Sequence, residues 1–505
     1  MSEPISFLPD DEHNRALIAN VHPGDWQNPT AKDRYHLVVV GAGTAGLICA
    51  AGAAGLGAKV ALVERHLMGG DCLNVGCVPS KGVIGAARSW KAARESKEIF
   101  GGPAVSGEGD FAAAMERMRR LRAGISHVDG AQRFTDLGVD VFLGQGSFTG
   151  PNTVEVDGQK LNFRRAVIAT GARASAPPIP GLADVDYLTN ETVFGLTELP
   201  EHLLVIGAGP IGCEMAQSFA RFGAKVTILD IAEKILPRED ADAAAVVHAA
   251  MARDGVEYIG GAKLTQIEQE SGQRIIHFER GGKSERVSGD QLLVAVGRAP
   301  NTDGLGLEKA GVAHDKLGVT VDDRLRTTNK KIYACGDICS EYKFTHAADA
   351  QARIVIANAL FFGRGKASKL VMPWATYTSP EIAHVGLYEE DAIKAGYKVK
   401  TLTIGMDDVD RARLDGQAEG FLRLHLKEGT DQILGATLVA EHAGDMIGEL
   451  ALAITHKIGL SKIATTIHPY PTQGEVMKKA ADTLNRERLT PTAKKVFEVF
   501  FKLFK

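Results

Sequence analysis

A glycine-rich loop between two apolar runs constrains the fold of this chain more than any other feature. The run His36–Val40 has the composition of a buried parallel strand and leads directly into this loop. The loop has the pattern G-x-G-x-x-G, with glycines at Gly41, Gly43 and Gly46. A small-residue segment of helical character, Leu47–Gly57, follows, and a second apolar run, Lys59–Val63, ends in Glu64. This order predicts a strand–helix–strand unit that binds a dinucleotide.

The same unit occurs a second time. The aliphatic run Leu203–Ile206 precedes a second loop, and the later run Ala224–Leu229 ends in Asp230. The glycines of the second loop are Gly207, Gly209 and Gly212. In such units the glycines let the backbone approach a pyrophosphate at a helix N-terminus, and the closing acid binds a ribose hydroxyl. Two units predict either two bound dinucleotides or one dinucleotide shared between two domains.

Length and charge restrict the class of protein. A chain of 505 residues predicts more than two domains, and a formal net charge of −4 does not favour nucleic acid as a partner. The polar start, Met1–Thr30, lacks the apolar core and basic flank of a signal peptide. No uncharged apolar run reaches the roughly 20 residues that a membrane-spanning helix needs. We therefore expect a cytoplasmic protein.

A pair of cysteines carries the predicted chemistry. Cys72 and Cys77 lie within the run Gly69–Lys81, which reads GGDCLNVGCVPSK and follows the first dinucleotide unit. At this spacing the two sulfurs are predicted to close a small disulfide on one turn of a helix. Because the thiolate is the reactive form of cysteine, we expect a neighbouring cation or cofactor to hold one sulfur charged. A purely structural disulfide is the alternative, and it is typical of secreted chains.

The run Gly69–Lys81 resembles the redox-active helix of the class I pyridine nucleotide–disulfide oxidoreductases. This is the flavoenzyme family of dihydrolipoamide dehydrogenase, glutathione reductase and mercuric reductase, and further motifs of the family follow in the expected order. The resemblance implies an α/β fold with two Rossmann-like dinucleotide-binding domains, the second inserted in the first, and a C-terminal α+β dimerisation domain. The implied boundaries are an N-terminal extension at 1–34, an FAD-binding domain at 35–180 and 293–366, an NAD(P)-binding domain at 181–292, the dimerisation domain at 367–485 and a basic amphipathic C-terminal helix at 486–505.

The resemblance also assigns the cofactors, with FAD at the first glycine loop and the nicotinamide cofactor at the second. Beyond the two loops and Glu64, the implied cofactor-binding residues are Gly70, Lys81, Thr170, Gly171, Gly297, Arg298, Gly336, Asp337, His346 and Ala347. A carboxylate at Asp230 accepts hydrogen bonds from a free ribose 2′-hydroxyl and repels a 2′-phosphate. The arginines that NADPH-using relatives carry after this strand are missing. NADH is therefore the predicted donor, and a merely structural Asp230 is the alternative.

The two cysteines have different roles in the family. The resemblance implies that Cys77 lies against the flavin as the charge-transfer thiolate and that Cys72 is the outer sulfur that exchanges with the substrate. Lys81 follows Cys77 by one helical turn and directs its ammonium toward the flavin. Glu214 matches an acid that lies near the nicotinamide and pairs with this lysine. Electrons are expected to pass from NADH through the flavin to the disulfide.

The sequence departs from the family pattern in Ile467–Glu475. Dithiol-using relatives have a histidine directly before Pro-Thr, which shuttles a thiol proton, and a glutamate five residues after it that orients the ring. Here Tyr470 occupies the histidine position, Glu475 is retained, and His468 lies two residues earlier. A phenol with a pKa of about 10 is a poor base at neutral pH. The pattern therefore disfavours efficient exchange with lipoamide-type dithiols, unless His468 serves as the base.

A tyrosine at this position resembles mercuric reductases. Those enzymes also carry a C-terminal cysteine pair, whereas this chain has no cysteine after Cys339. We expect an NADH-dependent FAD disulfide oxidoreductase of the mercuric-reductase-like branch, acting on a disulfide, dithiol or soft-metal acceptor. The alternatives are dihydrolipoamide dehydrogenase, Hg(II) reduction by the inner thiols alone, and a non-catalytic flavin sensor docked to a partner. No resident metal site is predicted, and Cys335 and Cys339 are interpreted as small buried residues.

The remaining inferences concern assembly and the two termini. The family resemblance implies a homodimer in which the last segment of one subunit completes the redox site of the other. The N-terminal extension, with Trp26 and Pro29, is expected to form an arm that packs on the body. The C-terminal segment predicts a helix with lysines beside an apolar face formed by Val496, Phe497, Phe500, Phe501 and Phe504. We expect this helix to pack against the dimer, and peripheral contact with a membrane surface is the alternative.

Overall fold

A computed structural model describes residues 5 and 7–504. Residues 1–4 and Ser6 of the predicted N-terminal extension, and Lys505 of the predicted C-terminal helix, lie outside the described residues. The chain divides into two compact units. The first unit comprises the described chain up to Lys97, Pro103–Glu233 and Gly255–Leu370, and the second comprises Glu98–Gly102, Lys234–Asp254 and the described chain from Val371.

Both units contain β-strands. Those of the first unit are β1 (Tyr35–Val40), β2 (Val60–Glu64), β3 (Val139–Leu143), β4 (Ser147–Gly150), β5 (Thr153–Val156), β6 (Gln159–Ile168), β7 (Ala172–Ala174), β8 (His202–Ile206), β9 (Lys225–Leu229), β10 (Val256–Ile259), β11 (Lys263–Glu270), β12 (Gln273–Arg280), β13 (Lys283–Gly289), β14 (Gln291–Val294), β15 (Arg298–Pro300), β16 (His314–Asp315), β17 (Gly318–Val319) and β18 (Ile332–Ala334). Those of the second unit are β19 (Pro373–Thr376), β20 (Glu381–Gly386), β21 (Val399–Gly405), β22 (Phe421–Lys427) and β23 (Ile433–Ala440).

The α-helices alternate with these strands. They are α1 (Glu12–Val21), α2 (Thr44–Gly55), α3 (Gly70–Asn74), α4 (Cys77–Phe100), α5 (Phe111–Ser126), α6 (Ala131–Asp136), α7 (Pro210–Phe222), α8 (Ala241–Arg253), α9 (Thr345–Leu360), α10 (Glu389–Lys394), α11 (Asp410–Leu414), α12 (Ala443–Thr455), α13 (Leu460–Thr465), α14 (Glu475–Glu487) and α15 (Pro491–Leu503). The helix predicted at Leu47–Gly57 begins earlier, at Thr44. Gly43 is its N-cap in extended conformation, so the helix starts within the glycine loop.

A seven-stranded sheet forms the first dinucleotide-binding domain. Strands β3, β2, β1 and β6 are parallel neighbours, and β18 pairs with β6 in the same direction. The antiparallel strands β5 and β4 extend the sheet beyond β6. Every residue of β2 is buried, as expected for a central strand whose two faces are both covered. The first glycine loop leaves β1 at the carboxyl edge of this sheet.

The second dinucleotide-binding domain is built from a four-stranded parallel sheet in the order β10-β9-β8-β14. A three-stranded antiparallel sheet, β11-β12-β13, accompanies it. The second glycine loop connects β8 to α7, which starts with Pro210 and ends at Gly223 in the left-handed conformation. The strands β7 and β15, which flank this domain in the chain, pair antiparallel with each other. The second domain is therefore inserted in the first, as predicted.

The second unit contains a five-stranded antiparallel sheet in the order β19-β20-β23-β22-β21. All residues of β23 are buried, and α12 packs on β20 and β23. The helices α12, α13 and α14 follow the last strand of this sheet in the chain. This is the α+β arrangement that the family resemblance implied for the C-terminal domain.

The last helix, α15, differs from the others because none of its described residues is buried. The Thr490 side chain caps it by accepting a hydrogen bond from Ala493 N, and Pro491 occupies its first turn. No helix within the described residues combines the length and apolar character needed to cross a membrane.

Candidate redox site

The two cysteines lie on consecutive helices and not on one helical turn as the spacing predicted. Cys72 belongs to the short helix α3, and Cys77 is the first residue of α4. The helix is interrupted between them, where Val75 has a φ of −142°. A Cβ atom at Gly76 would lie 2.7 Å from the carbonyl oxygen of Asp71, so the close return of the chain requires glycine. Both cysteines are free thiols in the structure.

Side chains from other parts of the fold hold this turn between the cysteines. Asn74 Nδ2 donates a hydrogen bond to the carbonyl oxygen of Gly70 at 2.9 Å. Arg122 Nη1 donates to the carbonyl oxygen of Asn74 at 2.6 Å, and Asn190 Nδ2 donates to that of Val75 at 3.2 Å. Backbone carbonyls at a helix end lack partners within the helix. The two amide groups and the guanidinium supply hydrogen-bond partners to these carbonyls and fix the path of the backbone.

The environments of the two sulfurs differ. Thr345 Oγ1 lies 3.4 Å from Cys77 Sγ. A hydrogen bond from Cys72, the bond with Thr345 and the positive charge of Lys81 together lower the pKa of the Cys77 thiol below its ordinary value. The same contact with Cys77, together with burial, raises the pKa of the Cys72 thiol. Cys77 is therefore the sulfur that ionises, while Cys72 retains its proton.

An ion pair stands beside the cysteines. Lys81 Nζ lies 2.9 Å from Glu214 Oε2. Lys81 is on α4, one turn after Cys77, and Glu214 is on α7, directly after the second glycine loop. The side chain of Glu214 is only 6% exposed, and a buried carboxylate requires a charged or hydrogen-bonding partner. The pair therefore holds the ammonium in place and joins the two dinucleotide-binding domains.

Arg298 connects the helix of Cys72 with Asp337, one of the predicted cofactor-binding residues. Its guanidinium forms an ion pair with Asp71, and its Nε lies 3.4 Å from Asp337 Oδ2. It also donates to the carbonyl oxygen of Ala172 at 2.7 Å. One largely buried cation thus orients two carboxylates, one directly before Cys72 and one in the cofactor motif.

Both glycine loops have the geometry that a pyrophosphate requires. Gly41 has a φ of +102°, which favours glycine, and a Cβ at Gly46 would lie 1.8 Å from the carbonyl oxygen of Gly41. In the second loop, Gly207 has a φ of +107°, and a Cβ at Gly212 would lie 2.0 Å from its carbonyl oxygen. A side chain at any of these positions would separate the helix from the loop.

The N-termini of the helices after these loops suit phosphate binding. The N-cap residues Gly43 and Gly209 have no side chain that could accept the first amide hydrogens of α2 and α7, so these groups are available to a ligand. The acids that close the two units hold the loops in place through hydrogen bonds to the loop backbone. Glu64 accepts a hydrogen bond from Ala42 N and Asp230 accepts one from Ala208 N, each at 2.7 Å. The residues present therefore fit two dinucleotides.

Several predicted cofactor residues have backbone conformations that demand glycine. A Cβ at Gly70 would lie 2.7 Å from Gly43 Cα, so the redox helix and the first loop can meet only as two glycines. Left-handed φ values of +67°, +72° and +82° occur at Gly171, Gly297 and Gly336. The amide of Gly336 donates to Gln351 Oε1 at 2.9 Å.

The other predicted cofactor residues lie at Thr170 and at the start of α9. Thr170 Oγ1 donates to the carbonyl oxygen of Asn301 at 2.9 Å. His346 stacks on Phe344 with ring centroids 5.3 Å apart, and Ala347 is fully buried. Both follow Thr345 at the start of α9, so the helix that contacts Cys77 also carries these residues.

The candidates for proton transfer belong to the second unit and make contacts of their own. His468 Nε2 lies 3.1 Å from Glu449 Oε1. The Tyr470 hydroxyl donates to Asp410 Oδ2 at 3.0 Å, and this bond raises the pKa of the phenol above its ordinary value. Glu475 Oε2 is buried and has no hydrogen-bond partner in the described chain. The carboxylate beside the histidine is therefore Glu449 and not Glu475.

Sequence analysis missed several of these residues. Thr345 precedes His346 directly, so its proximity to the predicted cofactor residues was an available signal. Glu449 and Asp410 lie far from the Ile467–Glu475 segment in sequence, and no motif pointed to them. Arg122 lies in a helix that resembles no functional motif, and only the fold brings it to Asn74.

Comparison with known proteins agrees with this geometry. Residues 35–352 match the family model described as pyridine nucleotide-disulphide oxidoreductase, and residues 372–481 match the dimerisation domain of the same family. The chain belongs to this family. The predicted family and fold are therefore confirmed. Its members are flavin-dependent enzymes that bind FAD and a pyridine nucleotide, in accordance with the two fitted loops.

Individual relatives span different activities. The chain is 34% identical over 499 residues to a mercuric reductase of Lysinibacillus sphaericus, covering 96% of this chain and 91% of the relative. It is also 34% identical over 455 residues to a dihydrolipoyl dehydrogenase of Geobacillus stearothermophilus, covering 88% and 95% of the two chains. A solved structure, the Cu(II) complex of the HOCl-induced flavoprotein disulfide reductase RclA from Escherichia coli, matches with a TM-score of 0.79 at 30% identity, covering 88% and 98%.

Proposed function

We propose that this chain is an FAD-dependent NADH oxidoreductase whose Cys72–Cys77 pair, once reduced from its disulfide, passes two electrons to a disulfide or soft-metal acceptor. The observation that carries the proposal is the asymmetry of the two sulfurs. Cys77 meets the hydroxyl of Thr345 and the field of Lys81, whereas Cys72 keeps its proton. A pair with one stable thiolate and one exchanging thiol is suited to electron transfer into sulfur. When bound, FAD supplies the two-electron carrier between nicotinamide and sulfur.

Residues of the chain itself carry out the remaining steps. Lys81, held by Glu214, stabilises the Cys77 thiolate of the reduced pair. With a disulfide acceptor, Cys72 loses its proton to a base and attacks one acceptor sulfur, so that the acceptor S–S bond breaks and its first thiolate leaves. Cys77 then attacks Cys72, the Cys72–Cys77 bond forms, and the second acceptor thiolate leaves. Two electrons have then moved from the cysteine pair to the acceptor.

Asp230 supports NADH as the donor. Its two oxygens accept hydrogen bonds from Ala208 N at 2.7 Å and Ala232 N at 2.8 Å, which fixes the carboxylate at the end of β9. A fixed negative charge at this point repels a ribose 2′-phosphate and accepts from a ribose hydroxyl. The same acid also holds the loop through its hydrogen bonds, so it contributes both to the fold and to the proposed cofactor preference.

The acceptor is proposed from Tyr470 and from the relatives. Tyr470, with its raised pKa, is unsuited to take a thiol proton at neutral pH. The similarity to a mercuric reductase and to a reductase solved as a Cu(II) complex favours a soft-metal acceptor. Dihydrolipoamide dehydrogenase is the second candidate, and the His468–Glu449 pair favours it because the carboxylate can orient the imidazole for proton transfer.

An anaerobic acceptor screen tests the proposal. The FAD-loaded protein is reduced with one equivalent of NADH and mixed with Hg(II), Cu(II), glutathione disulfide or lipoamide, and reoxidation is followed by absorbance. We expect rapid reoxidation by a metal or a disulfide, and loss of this reaction in Cys72→Ser. Reoxidation by lipoamide alone would establish the second candidate. A protein that NADH reduces but no acceptor reoxidises would support a non-catalytic sensor and overturn the proposal.

We further propose that the protein is a cytoplasmic homodimer and that α15 packs within this dimer. The match to the family's dimerisation domain supports the assembly. The helix α15 follows that domain directly and leaves Phe497, Phe500 and Phe501 exposed in the described chain, which is a surface that a second copy would cover. Phe500→Ser is expected to weaken dimerisation in analytical ultracentrifugation. Unchanged dimerisation together with binding of the wild-type protein to anionic vesicles would establish membrane contact instead.

A further inference from the structure

The N-terminal extension reaches the segment that carries the redox cysteines. The carbonyl oxygen of Val21, the last residue of α1, accepts a hydrogen bond from Met68 N at 3.2 Å. Met68 lies directly before the two glycines that open α3. The extension thus contacts the redox segment through backbone atoms at this point. A second contact runs through a buried side chain.

This second contact is a relay of three residues. Arg122 Nη2 donates to Asn14 Oδ1 and Arg122 Nη1 donates to the carbonyl oxygen of Asn74, both at 2.6 Å. Asn14 and Arg122 are each 1% exposed. Asn74 is the last residue of the helix that contains Cys72. The guanidinium therefore joins the extension to the turn between the two cysteines within one compact unit.

The guanidinium depends on Asn14 for its position. Both of its acceptors in this relay are neutral amide oxygens, and its Nε is buried without a hydrogen-bond partner in the described chain. Its carbon atom lies 4.8 Å from the centroid of the Phe7 ring, which also belongs to the extension. Burial lowers the pKa of Arg122 to about 10. A buried cation held by few partners shifts when one partner is removed.

Other contacts of the extension do not involve the redox segment. Trp26 Nε1 donates to the carbonyl oxygen of Val141 at 3.3 Å. Asn28 accepts from Leu143 N at 2.7 Å and donates to the carbonyl oxygen of Leu143 at 3.0 Å. These bonds attach the extension to β3, at the edge of the first sheet. They provide a matched comparison, because they are of the same chemical kind as those of Asn14.

We propose that Asn14 is a positioning residue for the redox pair, acting through Arg122 on the carbonyl of Asn74. The inference rests on the proposed function, since it requires Cys72 and Cys77 to form a disulfide. Holding the turn keeps the two sulfurs at a high effective concentration, which favours the disulfide over the dithiol. The N-terminal extension is thereby part of the redox machinery and not only a brace on the sheet.

The experiment measures the disulfide equilibrium directly and does not require turnover. Full-length protein is equilibrated anaerobically in glutathione redox buffers, the free thiols are alkylated, and the Cys72–Cys77 disulfide fraction is determined by peptide mass spectrometry. Asn14→Ala is expected to shift the equilibrium constant roughly tenfold toward the dithiol, because the turn loses one fixed support. Asn14→Asp retains an oxygen acceptor for Arg122 and is expected to restore the wild-type constant.

Asn28→Ala is the control, with the free energy of unfolding of each variant measured in urea. It is expected to lower stability while leaving the disulfide constant within about twofold of wild type, because its bonds end on β3 and on Asp157 and not on the turn between the cysteines. Equal shifts in Asn14→Ala and Asn28→Ala, or no shift in Asn14→Ala, would overturn the positioning role alone. If the unmodified protein forms no Cys72–Cys77 disulfide in any buffer, the proposed function fails, and the positioning role fails with it.

Discussion

The turn between Cys72 and Cys77 and the segment around His468 differ in how their functional side chains are held. In the turn, buried groups such as Arg122 and Glu214 fix the backbone carbonyls and the nearby ammonium. In the segment, Tyr470 is 69% exposed and the neighbouring Ile467 is 94% exposed within the described chain. The buried groups of the first region therefore hold the turn from within its own unit, whereas the second region exposes Tyr470 and Ile467 and keeps His468 largely buried beside Glu449.

This difference separates two tasks. Electron transfer into sulfur requires a fixed distance and a fixed field, because the pKa of Cys77 depends on short contacts with Cys72, Thr345 and Lys81. Under the proposed function, Tyr470, which is exposed and donates to Asp410, is the group placed to influence the choice of acceptor. We expect substitutions in the first region to change redox properties with every acceptor, and those in the second to change the choice of acceptor.

The largest expected effect concerns the base in the exposed segment. With dihydrolipoamide and NAD, the unmodified protein is expected to be slow at neutral pH and faster at alkaline pH, where substrate thiols with a pKa of about 8.5 ionise unaided. Tyr470→His introduces an imidazole at the position where dithiol-using relatives have theirs. It is expected to raise the neutral rate by about 10²–10⁴-fold, the usual contribution of general-base catalysis. The pH–rate profiles of the two proteins are the measurement.

His468→Gln and Glu449→Gln provide the counterpart to this test. If Tyr470 is the reason for slow dithiol exchange, both substitutions leave the low neutral rate essentially unchanged. A fast unmodified enzyme that loses activity in His468→Gln, and partly in Glu449→Gln, would identify the His468–Glu449 pair as the base. The comparison between the two regions would then fail, because the second region would also contain a complete catalytic arrangement.

A smaller effect is expected in the buried region from Lys81→Met. The ammonium lowers the pKa of Cys77, so its removal is expected to raise that pKa by about one pH unit. At pH 5, below both pKa values, the thiolate fraction, and with it the rate of alkylation by iodoacetamide in the reduced protein, should fall roughly tenfold, whereas at pH 7 it should fall only about twofold. Above the new pKa the rates of the two proteins should converge. Peptide mass spectrometry of alkylated Cys77 across a range of pH gives the alkylation rate and the pKa of Cys77 in each protein.

Lys91→Met is the matched control for this substitution. Lys91 lies on the same helix and pairs with Glu95 at 3.6 Å, so the change in net charge and helix composition is the same. An unchanged alkylation profile in Lys91→Met combined with the shift in Lys81→Met locates the effect at the cysteines. Equal profiles for all three proteins would show that the local field does not set the ionisation of Cys77.

An effect of the same order is expected at Asp230, the acid that closes the second dinucleotide-binding unit. Asp230→Ala removes both the acceptor for a ribose hydroxyl and the charge that repels a 2′-phosphate. The ratio of kcat/KM for NADH to that for NADPH should narrow by roughly tenfold. Asp230→Asn retains an oxygen that can accept a hydrogen bond from the loop but removes the negative charge. It therefore separates the effect of the charge from the effect of the hydrogen bond to the loop. A higher kcat/KM with NADPH than with NADH in the unmodified protein would contradict the proposed donor.

The parts of the site that could be predicted are those encoded by short spacings. The two glycine loops, their closing acids Glu64 and Asp230, and the fold built on them follow from patterns of a few dozen residues. The same spacing argument was wrong for the cysteines in one detail. It placed Cys72 and Cys77 on one helical turn, whereas the steric demand at Gly76 divides them between α3 and α4.

What the sequence by itself determined is the family and the two dinucleotide loops, and it proposed the redox pair, because each depends on residues that are neighbours along the chain. Only the tertiary structure decided which groups act on that pair. Thr345 and Cys77 are 268 positions apart, and Asn14 and Arg122 are 108 positions apart. Nothing local relates such residues; their contact results from how the helices pack, and the packing sets the field and the geometry at the sulfurs.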